Sequence, residues 1–227
     1  MAISEAASPA AANKTALPPS SRLRDALRSI TATVTRIVAL GLTGVMVLSS
    51  GIYSSRTMIS SGSRISTDVY GPWIHWRHSG QSDADPYTRA HIAKGGALQL
   101  TSDAAGVFQA NADSFGAHLH SSCDYLVEGP YASGMWWSIS VFDRRGKLIA
   151  NDAARYAFTS DTVAANPDGS YIITLGRDAR PGNWLPTGGA GRLTLVFNVL
   201  DPATGLSQEE RAERYKLLPG IRRENCS

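Results

Sequence analysis

The sequence of 227 residues has little charge and few cysteines: 18% of its residues are charged and two are cysteine. A hydrophobic content of 43% excludes a chain that is disordered throughout, and the glycine content excludes collagen. The sequence has no Gly-x-Ser-x-Gly nucleophile motif, no phosphate-binding glycine loop and no His-Glu-x-x-His metal motif. These absences favour a protein that is not an enzyme, and we expect no cofactor.

Positive charge is concentrated at the N-terminus. Residues 1–36 hold five Lys or Arg against two acids, whereas the remaining residues hold 17 basic and 17 acidic side chains. Binding to nucleic acid requires a basic surface on the folded domain. The balanced charge of residues 37–227 therefore argues against nucleic acid as a partner.

One uncharged stretch of 19 residues, Ile37–Ser55, lies between Arg36 and Arg56. A helix that spans a membrane needs about 20 mostly apolar residues. We therefore predict a basic helix and transmembrane anchor over residues 22–55, which makes the membrane a partner. The alternatives are a buried core helix and a signal peptide cleaved near Ser49-Ser50-Gly51, although the leader is long for a signal peptide.

The flanking arginines predict the orientation of this anchor. Four arginines lie shortly before the span, and two, Arg56 and Arg64, lie shortly after it. Because basic residues are enriched on the cytoplasmic side, we expect a cytoplasmic N-terminus and a C-terminal domain beyond the membrane. Composition then divides the chain into a disordered cytoplasmic tail (1–21), the anchor, a Ser-rich stalk (56–69) and a periplasmic β-sandwich domain (70–227).

The two cysteines, Cys123 and Cys226, both lie beyond the predicted span. Thiols in an oxidising compartment normally form disulfides. We predict a bridge between them that fastens the C-terminus to the core. A catalytic cysteine is the alternative, but no base lies at an informative spacing.

Apolar and polar residues alternate along four segments with the period of two that is typical of half-buried strands. These segments are 123–127, 137–141, 171–175 and 193–199. Turns rich in Gly and Asp separate them. The pattern predicts an all-β fold, an antiparallel sandwich with short helices.

Two short helices complete the pattern. Asp85 precedes a proline and is a good N-cap, and Gly95-Gly96 ends this first helix. Ser207 and Glu210 have the spacing of a capping box, and Pro219-Gly220 ends the second helix.

Several segments together resemble one protein family. They are Gly71–Trp76, Ala84–Ala90, Cys123–Tyr125, Met135–Trp137, Leu148–Asn151, Asp168–Ser170 and Pro181–Pro186. Over residues 66–226 the sequence resembles the bacterial domain-of-unknown-function family 1214, DUF1214, in its short form with one N-terminal membrane helix. The resemblance implies a jelly-roll-like sandwich on a bacterial inner membrane, with no established reaction and no known cofactor.

Longer relatives in this family carry a second domain of unknown function, family 1254 (DUF1254), before this domain in the same chain. That companion is missing from this sequence. The resemblance therefore implies a separate envelope protein that carries the companion domain, and we expect this protein to be the partner.

Candidate binding residues come from the family-like segments that do not look like strands. They are Trp73, Trp76, Tyr87, Arg89, Asn183 and Trp184. Large aromatic residues on loops of a β scaffold, with an arginine that can bind a carboxylate or phosphate, are typical of binding surfaces. The alternative is that these segments close the sandwich and that Arg89 pairs with Asp83 or Asp85.

His118 and His120 are a weak candidate for a metal site, because two imidazoles on one strand face could bind a divalent cation beside Asp124. Their spacing lacks the further ligands of a metal motif, so we expect no metal.

The function that these observations predict is that of a membrane-anchored cell-envelope protein whose outer β domain binds a partner protein. The alternative is an envelope enzyme or lectin-like module that acts on a glycan or lipid. A partner-binding module should expose an apolar patch, whereas an enzyme should have a pocket with convergent titratable groups.

Overall fold

The computed structural model describes residues 19–95, 100–101, 104–130, 135–200 and 207–226. The chain forms two compact units, Met1–Ser54 and Ser55–Ser227. Residues 1–18 of the predicted tail lie outside the described residues.

A single long helix, α1 (Pro19–Ser61), contains the uncharged stretch. Its residues Arg22–Ser61 are long and apolar enough to cross a membrane, a property that a signal sequence near the N-terminus shares. Its apolar window is not buried against the protein, as it would be in a core helix. The hydroxyls of Thr33, Thr43 and Ser49 donate to carbonyls one turn earlier, which satisfies them without water.

Residues 56–69, predicted as a stalk, contain the end of the long helix and the start of the first strand. α1 continues to Ser61, and the first strand begins at Thr67. The Ser-rich composition does not break the helix, because Ser60 donates its hydroxyl to the carbonyl one turn earlier. Between α1 and β1, the Thr67 N–H donates a hydrogen bond of 2.9 Å to the Ser63 carbonyl, which makes the connection a tight turn.

The second unit is a two-layer β-sandwich. Its strands are β1 (Thr67–Tyr70), β2 (Trp73–Trp76), β3 (Ala105–Ala110), β4 (Cys123–Gly129), β5 (Trp136–Asp143), β6 (Ala157–Thr159), β7 (Tyr171–Gly176), β8 (Asn183–Pro186), β9 (Leu193–Leu200) and β10 (Gly220–Cys226). One sheet has the order β1-β2-β3-β9-β5-β6, and the other has the order β10-β4-β7-β8. Two short helices, α2 (Pro86–Gly95) and α3 (Gln208–Tyr215), complete the domain. The expected all-β, mostly antiparallel class is confirmed.

Side chains from both sheets meet in one apolar core. The alternation along the sequence follows from this packing: β9 buries Leu195 and Phe197 and leaves Val196 between them half-exposed. Trp137 of β5 stacks on Tyr171 of the other sheet, with ring centroids 4.4 Å apart. The four segments predicted as strands are β4, β5, β7 and β9.

Six of the described strands, β1, β2, β3, β6, β8 and β10, were not among the segments predicted as strands. β2 and β8 replace predicted loops, and β8 pairs in parallel with β7. Each has only four residues, which is too short for a visible alternation. After α3, whose capping box at Ser207 is confirmed, the chain forms β10 and pairs with β4. β10 buries only Ile221, so it also lacks the period-two pattern.

Candidate functional site

Trp73 belongs to the core and not to an exposed binding surface. It is fully buried, and its indole N–H donates to the Pro219 carbonyl at 2.7 Å. Its ring centroid lies 5.7 Å from that of Phe197 on β9. The alternative in which this segment closes the sandwich therefore holds for Trp73, because the indole finds both apolar contacts and a hydrogen-bond acceptor there.

Trp76 is buried at the other end of β2, where it stacks on His91 of α2 with ring centroids 3.9 Å apart. Nδ1 of His91 lies 2.8 Å from the carbonyl oxygen of Ile59 in the last turn of α1. Burial lowers the pKa of His91, and the bond to the Ile59 carbonyl raises it by less. The stacked pair therefore attaches α2 to the six-stranded sheet with a neutral imidazole at neutral pH.

Tyr87 and Arg89 lie on α2, where Tyr87 is half-buried and Arg89 is exposed. Asp85 caps this helix as predicted, since its carboxylate accepts hydrogen bonds from the N–H groups of Tyr87 (2.9 Å) and Thr88 (3.2 Å). Desolvation raises the pKa of Asp85, but its hydrogen bonds together outweigh desolvation, and the net pKa is lowered. Asp83 pairs with a neighbouring histidine. Among the described residues, Arg89 pairs with neither acid.

Asn183 and Trp184 hold β8 in place. The Asn183 amide accepts a hydrogen bond from the Ala164 N–H and donates to the carbonyls of Ala164 and Ile172, at 2.8, 2.8 and 2.9 Å respectively. The Trp184 indole N–H donates to the Gly176 carbonyl at 3.0 Å. The polar atoms of both side chains are therefore engaged within the domain.

The six predicted binding residues do not share one surface. β2 lies near one edge of the six-stranded sheet. β8 is an edge strand of the other sheet and contacts β6, the opposite edge of the first. The single surface expected from the sequence is thus corrected to two separate places, while a binding role for individual members stays a prediction.

His118 and His120 are both exposed on the segment that leads into β4. Nδ1 of His120 lies 2.8 Å from the Ser122 hydroxyl, and Nδ1 of His118 lies 3.4 Å from the Asn111 carbonyl oxygen. In the part of the chain that the structure describes, no three His, Cys, Asp or Glu side chains are grouped as a metal ion would require. The fold therefore adds no further described ligand to these two histidines.

The predicted disulfide joins Cys123 and Cys226. The two residues are cross-strand partners of β4 and β10, and their Cα atoms lie 3.9 Å apart. Arg223 of β10 also binds the buried carboxylate of Asp113 at 2.9 Å. The bridge spans a sequence separation of 103 residues and makes β10 a fixed edge of the four-stranded sheet.

A groove lies on the outer face of the six-stranded sheet, with a volume of about 670 Å³. It runs along β3, β5 and β9, with α2 at one side. Its apolar lining includes Ile92, Val107, Trp136, Phe142, Val196 and Leu200. These strand residues are the ones that point away from the core, since inward and outward positions alternate.

Uncharged polar groups lie among these apolar side chains. They are the amides and hydroxyls of Gln109, Ser138, Thr194 and Asn198. Asn198 donates from Nδ2 to the Ser138 hydroxyl at 3.3 Å. The groove therefore offers apolar contacts and neutral hydrogen-bonding groups along its length.

The titratable residues that line the groove are His91, Asp143 and Arg144. The Asp143 carboxylate accepts hydrogen bonds from the N–H groups of Arg145 (2.8 Å) and Lys147 (2.9 Å). The bond from Lys147 contributes most to holding the pKa of Asp143 below its ordinary value. Within the described residues no hydrogen bond joins two of the three lining groups, so they do not form an acid–base pair.

Sequence reasoning missed the groove. The one available signal lies on β9, whose outward positions include the apolar Val196 and Leu200 beside the polar Thr194 and Asn198. Single apolar residues on an outward face are ordinary, so the groove becomes visible only when β3, β5 and β9 are placed side by side.

Residues 104–204 match the model of a family described as "Protein of unknown function (DUF1214)". This segment belongs to DUF1214. The resemblance inferred from the sequence is therefore confirmed, and the DUF1214 segment includes the three strands that form the groove. No curated protein matches the chain.

The chain is also similar to the crystal structure of the VPA0106 protein from Vibrio parahaemolyticus, with a TM-score of 0.51 and 18% sequence identity. The match covers 78% of this chain and 43% of that chain, so this chain spans less than half the length of the solved protein. An uncharacterized protein from Burkholderia cenocepacia matches with a TM-score of 0.36 and 20% identity, over 54% of this chain and 30% of that chain. The likeness to VPA0106 concerns the fold.

Proposed function

We propose that this protein is a membrane-anchored cell-envelope protein whose β domain binds a partner protein in the groove of the six-stranded sheet. The observation that carries the proposal is the groove, where apolar side chains such as Val107, Phe142 and Val196 stay half-exposed. Contiguous apolar surface of this kind marks interaction sites, because its removal from water by a partner is favourable.

A partner-binding role fits the groove better than an enzymatic one. The His91 ring is stacked on Trp76, and its Nδ1 is bonded to a backbone carbonyl. The Asp143 carboxylate is held by the backbone of its own turn. Neither group is presented to a substrate as a general acid or base would be.

The proposed partner carries the companion domain, DUF1254. The family resemblance supports this choice, because longer relatives carry DUF1254 before this domain in the same chain.

The proposed location is the bacterial inner membrane, with α1 spanning it once, the N-terminus in the cytoplasm and the β domain in the periplasm. The excess of arginines before the uncharged stretch supports this orientation. The disulfide between Cys123 and Cys226 supports an oxidising compartment for the β domain.

Site-specific photo-crosslinking in native membranes tests the function. A crosslinking residue at Val196, in the groove, should trap one discrete partner protein, and so should one at Ser138. The control position is Thr174, on the outward side of β7 in the other sheet, and it should not trap that partner. Crosslinks of equal yield from Thr174, or none from both groove positions, would contradict the proposal.

A second candidate, a glycan-binding module, is favoured by one observation. Trp136 is 37% exposed in the groove, and its indole N–H is fixed by the Asp161 carboxylate at 2.9 Å. A fixed aromatic face beside amide and hydroxyl groups suits a sugar ring. Binding of cell-wall glycan fragments that Trp136→Ala abolishes, together with no protein crosslinks, would select this candidate.

A further inference from the structure

Four loops meet at one end of the sandwich, the end at which β3 and β5 finish and β9 begins. They are residues 118–124, 143–149, 176–180 and 187–192, here called the basic end. His120 pairs through its backbone with Arg192, and the Ser121 N–H donates to the Gly191 carbonyl at 2.8 Å. These bonds join the first loop to the last.

The other two loops are fixed to the same end. Asp143 is the cross-strand partner of Leu193, so the 143–149 loop starts beside the residue that follows Arg192. Arg177 donates from Nε to the Gly188 carbonyl at 3.3 Å, and Arg180 binds the Asp124 carboxylate at 2.7 Å. The four loops therefore form one continuous surface.

Cations outnumber acids on the basic end. Its six cations are Arg144, Arg145, Lys147, Arg177, Arg180 and Arg192, against the three acids Asp124, Asp143 and Asp178. Residues 37–227 as a whole hold equal numbers of basic and acidic side chains. The excess of three positive charges is thus a local separation of charge within a neutral domain.

The acids at this end do not neutralise the exposed guanidiniums. Asp124 is paired with Arg180, and Asp143 is held by backbone N–H groups. Arg144 and Arg192 are exposed, and no carboxylate of the described residues lies within ion-pair distance of either. Elsewhere in the domain, arginines of the sheets are paired, as in the Arg77–Asp68, Arg222–Glu128 and Arg223–Asp113 pairs.

The groove leads directly to the basic end. Its lining begins with His91 and Leu200 at one end of the sheet and reaches Thr194, Asp143 and Arg144 at the other. An occupant that lies along the groove therefore meets Arg144 where it leaves the sheet. A ligand matched to this surface has apolar groups along its length and anionic groups at one end.

We propose that the basic end selects the occupant of the groove: an acidic segment of a partner polypeptide whose carboxylates pair with Arg144 and Arg192. This inference rests on the proposed function and adds the chemistry of the partner. Guanidinium groups bind carboxylates with two parallel hydrogen bonds, and an excess of positive charge speeds the encounter with an acidic surface. A purely anionic polymer has no apolar side chains to fill the adjoining groove.

The test uses the full chain in a neutral detergent and two fluorescent peptides of equal length. One peptide alternates Glu with Leu and Val, and the other has Lys in place of each Glu. The acidic peptide should bind and the basic peptide should not. Arg144→Glu/Arg192→Glu should weaken binding of the acidic peptide by roughly tenfold or more, since two ion pairs become repulsive.

The matched control is Arg56→Glu/Arg64→Glu, which changes the net charge equally at exposed arginines outside the groove lining and the basic end. It should weaken binding by less than about twofold, and both double variants should keep the wild-type melting temperature. Wild-type binding should also weaken as salt is raised.

Equal weakening in both double variants, or binding of the two peptides with equal affinity, would overturn the inference. Loss of binding to anionic phosphatidylglycerol vesicles in Arg144→Glu/Arg192→Glu, with no binding of the acidic peptide to the wild type, would overturn it in favour of lipid.

The crosslink from Val196 to a partner protein separates this inference from the proposed function. If Arg144→Glu/Arg192→Glu leaves it unchanged, the acidic-partner inference fails and the proposed function stands. If the wild-type protein gives no crosslink from Val196, the proposed function fails.

Discussion

The two faces of the six-stranded sheet are covered differently. On β9 the inward Leu195 and Phe197 are buried, whereas Val196 between them stays half-exposed in the groove. The four-stranded sheet covers the inner face, and within the described residues α2 lies at one side of the groove on the outer face. The comparison teaches that the inward side chains hold the fold together, while the outward ones leave surface for a partner.

Two neighbouring substitutions on β9 give the largest expected contrast. Phe197→Ala removes a buried ring that packs against Trp73 and Trp137, and should lower the free energy of unfolding by about 3–5 kcal/mol. Val196→Ala should lower it by less than about 1 kcal/mol. Denaturation of the detergent-solubilised protein measures both values. Equal losses would show that the groove face belongs to the core.

The disulfide should contribute the next largest effect, because it fixes the edge of the sheet that covers the inner face. Cys226→Ser should lower the free energy of unfolding by about 2–5 kcal/mol. Arg222→Ala is the control on the same strand, since its exposed pair with Glu128 is worth about 0–1 kcal/mol. Thiol labelling of the denatured, unreduced wild type should find no free thiol. A melting temperature unaffected by reductant would contradict the prediction.

The long alternating strands and the caps could be predicted from local sequence. Every inward residue of β9 is apolar, and Asp85 and Ser207 act locally on the helices that they precede. β2 could not be predicted, because a four-residue strand has no measurable period. Its two tryptophans were consistent with either a surface or a core, and burial decides between these only after the chain is folded.

The disulfide was predictable from count and compartment, whereas the groove was not. Two cysteines leave one intrachain pairing, so no geometry was needed. The groove combines outward residues from β3, β5 and β9, which are brought together by pairings of distant segments. The basic end likewise joins four loops that are separated in sequence. Such sites depend on topology, which local patterns do not contain.

Two asparagines extend the comparison to polar groups. Asn183 is buried, and its amide satisfies the N–H and carbonyl of Ala164 and the carbonyl of Ile172. Asn183→Ala should therefore lower the free energy of unfolding by about 1–3 kcal/mol, because buried backbone groups lose their partners. Asn198 lies in the groove and donates to Ser138, so Asn198→Ala should lower it by less than about 1 kcal/mol. Urea denaturation measures both free energies of unfolding, and the dependence of each on urea concentration should match that of the wild type. A larger loss for Asn198→Ala than for Asn183→Ala would reverse the assignment of the two faces.

Two histidines on opposite sides of the sheet give a pH-dependent form of the same comparison. His75 is buried between Phe108 and Tyr215, with its Nδ1 3.0 Å from the Val107 carbonyl oxygen. Burial is the main cause that lowers the pKa of His75, and the hydrogen bond and a nearby Asp raise it by less. His91, on the groove side, also has a lowered pKa because of burial.

The sign of the effect follows from these directions. Above the ordinary histidine pKa of about 6.5, both histidines are neutral in the folded and unfolded states, so they give no pH dependence. As the pH falls below about 6.5, the unfolded chain binds protons that the folded protein does not, and stability falls. Melting temperatures measured between pH 7.5 and 5.0 should therefore decrease toward acid. His75→Gln and His91→Gln should each flatten this decrease, and the double variant should flatten it further. Val107→Ala, which keeps both histidines, is the control and should show the wild-type decrease of melting temperature toward acid. If the double histidine variant shows the same decrease as the wild type, other groups cause the acid sensitivity.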